Sequence, residues 1–319
     1  MEQIVRLINE NANFVLHGHT SPDGDAIGAC YGLAFALQKL GKNVAVVLES
    51  YPQKFDIIPG REFLRPFSEF KGDTTIDVFI ALDCADTMRL GSGLSLFDKA
   101  KHTVCIDHHK SNPGFAAYNH IESTTSSTCE IVYRLVEQLT TIDQNIATAL
   151  YAGIVSDTGG FKYDSTTAAT MDIAGHLMEI GIPFTQIYNQ LMFIRSYAAV
   201  KIVGLALQNA DTALKGQIIY SHITRQMFKS VKANPADLDG TVEQLLCTQG
   251  VAVAVLAYEK GEQVKISLRS HKHDVGSVAG QLGGGGHKLA AGATVTGDIN
   301  SVLTKTLFLL NELLRRETP

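Results

Sequence analysis

Val104-Cys105-Ile106-Asp107-His108-His109 is an apolar run that stops abruptly in a carboxylate and two imidazoles. Apolar residues on both faces make a buried parallel strand, and open α/β sheets place their ligand crevices at the carboxyl ends of such strands. Asp-His-His at that end supplies groups able to hold a divalent cation. Taken alone, the triplet reads equally well as a strand end whose histidines bond the backbone. The flanking chain decides between the two.

Upstream, Phe14-Val15-Leu16-His17 is expected as a short buried strand that runs into Gly18-His19-Thr20-Ser21-Pro22-Asp23-Gly24-Asp25, where Pro and Gly forbid regular structure. From Ala26 to Leu40 small and apolar residues recur at helical spacing, and Gly41 closes the helix. Val44 to Leu48 is a second strand. A connection through Pro52, Pro59 and Pro66 leads to a third, Asp77 to Leu82, which ends in Asp83-Cys84-Ala85-Asp86.

Downstream, Ser127 and Glu130 have capping-box spacing for a helix to about Leu139. A helix from Gln144 to Val155 leads into Ser156-Asp157-Thr158-Gly159-Gly160-Phe161. Another starts at Thr166 or Thr167 and ends near Gly181, and Ile187 to Leu207 is largely helical. The pattern then changes to a strand over Gln217 to His222 and a hairpin of Val251 to Tyr258 with Val264 to Ser270. A helix to Leu282, the run Gly283-Gly284-Gly285-Gly286-His287 and an amphipathic helix around Ile299 to Arg315 complete the chain. The expected fold is α/β. A parallel sheet flanked by helices spans residues 1–187, a helical linker 188–205, and a smaller mixed α/β domain 206–319.

The net charge is −5 without a block of like charges, which argues against long duplex nucleic acid as a partner. The sequence shows no signal peptide and no apolar run of membrane-spanning length, so a cytoplasmic protein with no membrane partner is expected. Cys30, Cys84, Cys105, Cys129 and Cys247 are odd in number and never spaced Cys-x-x-Cys. They read as reduced, mostly buried thiols rather than disulfides or a thiolate zinc site.

Ligand-type groups accumulate at the segment ends: His19, Asp23 and Asp25, then Asp83, then Asp107-His108-His109, then Asp157. Carboxylates with a few imidazoles and no thiolate suit Mn²⁺, Mg²⁺ or Fe²⁺. Four or more acidic groups in one crevice repel each other unless cations neutralise them. Two metals about 3.5–4 Å apart would meet both the charge and the ligand count, and such pairs activate water for displacement at phosphorus.

Val15 to Ala26, Ala81 to Asp86, Asp107 to His109 and Gly153 to Gly159 resemble motifs I to IV of the DHH phosphoesterase family, and Gly283 to His287 resembles the signature of its associated C-terminal domain. The pattern is similar to the nano-RNase and pAp phosphatase type. That type releases nucleoside 5′-monophosphates from very short RNAs and converts 3′-phosphoadenosine 5′-phosphate (pAp) to AMP. The resemblance implies two divalent metal ions, Mn²⁺ foremost with Mg²⁺ or Fe²⁺ as alternatives. By the same resemblance His19 and Asp23 hold one, Asp25 and His108 hold the other, and Asp83 and Asp157 bridge them. It further implies that His109 binds the scissile phosphate or protonates the leaving oxygen, that Asp107 orients an imidazole, and that Arg89 reaches substrate phosphate. Arg269, Ser270, Gly284, Gly285, Gly286 and His287 would bind the terminal phosphate and nucleoside.

The partners implied are short RNA oligonucleotides, pAp, and linear or cyclic dinucleotides, with a homodimer as an allowed assembly. The sibling reading is a cyclic-di-AMP or pApA phosphodiesterase, and the further alternatives are a non-catalytic nucleotide-binding module and a polyphosphatase. The chain lacks the Ser-Arg-Lys triplet of the family's pyrophosphatases, which argues against pyrophosphate, and a processive exonuclease of the RecJ type is not expected. His17 reads as a hydrogen-bonded core histidine, His271 and His273 as solvated, and Glu122 and Asp164 as surface residues.

Overall fold

The structure is a computed structural model and describes residues 1–70 and 75–317. The chain divides into two compact units, Met1–Ile194 and Arg195–Pro319.

In the first unit, helix α1 (Glu2–Glu10) precedes β1 (Asn13–His17), α2 (Gly24–Lys39) and β2 (Asn43–Val47). Then come β3 (Val78–Leu82), a 3₁₀ segment (Thr87–Gly93), α3 (Leu94–Phe97), β4 (His102–Asp107) and β5 (Tyr118–Ile121). Helices α4 (Thr128–Leu139), α5 (Gln144–Asp157), α6 (Ala168–Glu179) and α7 (Phe184–Met192) complete it. The strands form one parallel sheet in the order β2-β1-β3-β4-β5. Successive side chains of a strand point to opposite faces. Leu16, Ile80 and Ile106 therefore pack under the helices with Ile27, Ile131 and Ile154, while Val15, Phe79 and Ala81 pack on the other face with Leu90 and Leu96. Both faces are buried, which is why these strands read as continuous apolar runs.

The register pairs His17 with Ala81, Leu82 with Ile106 and Asp107 with Ile121, so the strand ends lie nearly level. Two helices extend further than spacing predicts, and both extensions carry ligand-type groups. Helix α2 begins at Gly24 because Asp23 caps it, its Oδ1 accepting from the N–H groups of Asp25 at 3.0 Å and Ala26 at 3.1 Å. Helix α5 runs past Val155 to Asp157. The expected capping box on α4 is half formed. Ser127 Oγ accepts from Glu130 N–H at 3.2 Å, but the Glu130 carboxylate turns to Ser126, taking its N–H at 3.0 Å and its hydroxyl at 2.8 Å.

Asp77 stands just before β3 instead of opening it. Its carboxylate accepts from Asn13 N–H at 2.9 Å and from Lys101 Nζ at 2.7 Å, tying the starts of β1, β3 and β4 together. The Lys101 ammonium holds the Asp77 carboxyl down at about 2. A depressed carboxyl contributes stability that is present above its unfolded pKa and lost as pH falls through the folded one. Asp77→Asn should cost about 1–2 kcal/mol at neutral pH, discounted for the exposed Lys101, and the cost should vanish between about pH 4 and pH 2, as read by urea unfolding across that window.

The second unit opens with α8 (Tyr197–Gln208), β6 (Asp211–Ala213), β7 (Ile218–Ile223), α9 (Arg225–Val231) and α10 (Thr241–Leu246). The hairpin β8 (Val253–Lys260) and β9 (Gln263–Ser270) follows, then α11 (Val275–Gln281), β10 (Gly285–His287), β11 (Ala290–Thr296) and α12 (Ile299–Glu317). The sheet is mixed, in the order β10-β11-β9-β8-β7-β6, with only the β7–β8 pair parallel among the described strands. Val253, Val255 and Ala257 face α11 and α12, while Ala254, Leu256 and Tyr258 face α8 to α10. The stretch expected as a linker over 188–205 is shared out. Helix α7 seats Ile187 in the first core, and α8 seats Ile202 and Ala206 in the second. Among the described residues no single helix is long and apolar enough to cross a membrane.

His17 is buried as expected, with Nδ1 2.5 Å from the Val47 carbonyl and Nε2 3.0 Å from that of Leu90. His271 is exposed, but His273, expected in solvent, is buried, its N–H donating to Ser270 Oγ at 2.9 Å. Glu122 is half-buried and paired with His120 and Arg134, and Asp164 is exposed.

Candidate metal centre

The level strand ends bring the expected groups together around Asp83. This residue follows β3 with φ of 58°, a left-handed backbone that a non-glycine residue adopts only when its surroundings fix it. Its N–H extends the ladder to Ile106 at 3.1 Å, and its side chain is buried. Asp83 Oδ2 lies 3.7 Å from His19 Nε2, while Oδ1 lies 3.6 Å from His108 Nε2 and 3.5 Å from His109 Nδ1. His19 Nε2 also stands 3.9 Å from Asp23 Oδ2, and His108 Nε2 3.4 Å from Asp157 Oδ2. Most of these separations exceed a hydrogen bond, and they are of the order spanned by two donors sharing a cation at about 2.0–2.2 Å from each.

Three groups could each hold a metal ion: Asp83 with His108 and His109, His19 with Asp23 and Asp83, and Asp25 with His108 and Asp157. All six expected ligands fall within these groups, and His109, expected beside a metal rather than on it, falls in one as well. The electrostatics fit a cation. Burial first, and then the charges of Asp25, Asp23 and Asp157, push the Asp83 carboxyl well above the ordinary carboxylate range. The same causes, burial and then Asp25 and Asp23, raise Asp157 to about 8. Such carboxylates ionise together only beside a compensating positive charge. His19 Nδ1 is buried and has no hydrogen-bond partner among the described residues.

Sequence reasoning missed the groups that hold the acids. The first turn of α4 aims its free N–H groups at Asp25, whose Oδ2 accepts from Thr128 at 2.6 Å and Oδ1 from Cys129 at 2.9 Å. Thr128 Oγ1 reaches Asp83 Oδ1 at 3.3 Å, so one residue orients two carboxylates. Backbone donors leave no side-chain signature; the N-cap Ser127 was the available clue. Thr128→Val keeps the shape and the N–H but removes the hydroxyl, and should weaken Mn²⁺ binding about tenfold by calorimetric titration while leaving the fold intact.

Asp107 ends β4, and its Oδ1 takes His109 Nδ1–H at 2.8 Å while its Oδ2 accepts from Asn112 Nδ2 at 2.7 Å. Burial would raise the Asp107 carboxyl, but these bonds outweigh it and leave it below the usual range. The Asp107 bond in turn raises the His109 pKa and leaves its Nε2 available. Arg89 sits exposed on the 3₁₀ segment, which Thr20 N–H ties to the first loop through the Arg89 carbonyl at 2.9 Å.

In the second unit Arg269 donates from Nε to Glu243 at 2.7 Å and from Nη1 to the Leu268 carbonyl at 3.0 Å. Ser270 is turned inward, its hydroxyl donating to the Ala252 carbonyl at 2.9 Å, so it shapes the turn after β9. The glycine run is an edge strand as well as a loop. Gly285, Gly286 and His287 pair with Gly292, Ala291 and Ala290, and all of Gly284 to His287 are exposed. At Gly286 (φ 141°) a Cβ would sit 2.5 Å from Ala291 Cα, so only glycine lets the strands close.

Residues 13–154 match the DHH family, N-terminal domain, and residues 215–315 match the DHHA1 domain. Over 303 residues the chain is 30% identical to a bifunctional oligoribonuclease and PAP phosphatase of Thermus thermophilus, spanning 93% of this chain and 89% of that protein. It is 26% identical over 305 residues to the protein of the same name from Bacillus subtilis, spanning 92% of each. A solved exopolyphosphatase-related protein from Bacteroides fragilis superposes with a TM-score of 0.88 at 25% identity, covering 98% of this chain and 95% of that one.

Proposed function

Because this chain belongs to the DHH family of phosphoesterases, we propose that it hydrolyses short oligoribonucleotides to nucleoside 5′-monophosphates and pAp to AMP. The observation that carries the reading is the ring of acids and imidazoles around Asp83, in a chain similar over most of its length to enzymes named for those two reactions.

His19 and Asp23 would hold one divalent cation and Asp25 and His108 a second, with Asp83 and Asp157 shared between them. Mn²⁺ suits this oxygen- and imidazole-rich set, and Mg²⁺ or Fe²⁺ are alternatives. Bound there, the cations would neutralise the carboxylates and make a water acidic enough to attack phosphorus. The water, with one proton released to solvent, would form the new bond to phosphorus as the P–O ester bond breaks, and the departing oxygen then needs a proton. His109 supplies it from Nε2, with Asp107 and Asn112 fixing the ring from the other side. Arg89 faces phosphate oxygens with a planar fork. In the second unit Arg269, His287 and the backbone of Gly284 to Gly286 take the substrate's terminal phosphate and nucleoside, and Ser270 sets the turn that presents Arg269.

The test is turnover by purified protein with Mn²⁺ or Mg²⁺ on RNAs of two to five nucleotides, pAp, pApA, cyclic di-AMP and polyphosphate. Short RNAs and pAp should be consumed. Their survival, or breakdown of polyphosphate alone, overturns the reading.

A further inference from the structure

The segment that follows Asp157 is built in a way the chemistry above does not use. Gly159, Gly160 and Phe161 are consecutive left-handed residues, with φ of 58°, 72° and 66°. Two are glycines, but Phe161 carries a side chain in a conformation that L-residues avoid, and such a turn persists only where its surroundings fix it. Here they do. Thr158 Oγ1 donates to the Ile154 carbonyl at 2.6 Å and accepts from Phe161 N–H at 2.9 Å. The Tyr188 hydroxyl donates to the Gly160 carbonyl at 3.4 Å, and the Phe161 ring packs beside Tyr151 with centroids 6.2 Å apart.

The product of this bracing is the placement of Tyr163. Its N–H bonds back to the Thr158 carbonyl at 3.0 Å, and its ring lies across Gly159 so closely that a Cβ there would fall 2.5 Å from Cζ. The ring is thus clamped to the backbone at Gly159, two residues after Asp157, whose carboxylate faces His108 at 3.4 Å. Yet it remains 53% exposed, in contrast to the half-buried Phe161 two residues earlier. A rigid aromatic plane left open six residues along the chain from a carboxylate of the candidate metal centre is suited to a nucleobase, because every base has a π-face and stacking is sequence-tolerant.

We propose that Tyr163 is the platform on which the base of the substrate nucleotide stacks, making it a specificity-determining residue that favours nucleotides over phosphoesters without a base. This rests on the phosphoesterase reading above. Tyr163→Ala should raise KM for a dinucleotide RNA about tenfold or more with kcat little changed, leave KM for the abasic analogue of that dinucleotide where it was, and abolish the fluorescence quenching of a bound 2-aminopurine dinucleotide. Tyr163→Phe should behave as the wild type, since it keeps the ring. Equal KM increases on the two substrates would show that the ring only braces the turn, and quenching that survives in Tyr163→Ala would exclude stacking; either overturns the proposal. Wild-type quenching without hydrolysis would instead overturn the phosphoesterase reading and leave the stacking in place, while absence of both binding and turnover overturns the two together.

Discussion

Asp83→Asn should remove turnover while leaving the fold at least as stable as before. The loss expected in kcat/KM on a dinucleotide is about a thousandfold or more, because the substitution withdraws a charge from every grouping that Asp83 joins. The amide keeps the size of the carboxylate and an oxygen that can accept from Thr128 Oγ1. It also replaces a carboxyl whose ionised form is opposed by burial first and then by Asp25, Asp23 and Asp157. Metal-free Asp83→Asn should therefore melt no lower than metal-free wild type, and the rise in Tm expected for the wild type on adding Mn²⁺ should be largely absent from the variant. Retention of more than a tenth of the activity, or an unchanged response to Mn²⁺, would show that Asp83 is not shared between cations.

His109→Gln should lower kcat by about 10²- to 10⁴-fold on substrates whose leaving group is a sugar hydroxyl. Much of that loss should disappear on a p-nitrophenyl ester of the same nucleotide, whose leaving oxygen departs without a proton. Equal losses on both substrates would assign His109 to phosphate binding instead. The dyad gives the pH dependence a definite sign. The Asp107 bond raises the His109 pKa and so extends the protonated form to higher pH. Asp107→Asn removes that support, and the alkaline limb of the kcat profile should move to lower pH.

The acids and imidazoles of the candidate centre could be picked out from sequence because β1, β3 and β4 are buried on both faces. Their apolar runs stand out, and the polar residue that ends each run stands out with them. What could not be read shares a different physical character. Strand β5, Tyr118-Asn119-His120-Ile121, is a half-exposed edge with no apolar alternation, and β11 is built of alanine, glycine and threonine around a single valine. Four glycines have no strand preference, so the pairing of Gly285 to His287 with β11 is set by the partner strand. His273 lies in a charged loop but is drawn inward by Ser270, a tertiary effect that local composition does not encode. Thr128 and Cys129 act through backbone N–H groups that every residue but proline possesses.

Asp23 divides its two oxygens between tasks. Oδ1 caps α2, and Oδ2 faces His19. The double duty narrows what evolution can place there. Asparagine would cap the helix about as well but bring no charge to a cation, and glutamate would keep the charge but carry it one methylene beyond the cap. A change tuned to a different ion would therefore loosen the start of the helix that also bears Asp25, so adaptation to a new metal supply would have easier routes at Asp157 and His108, neither of which caps a helix among the described residues.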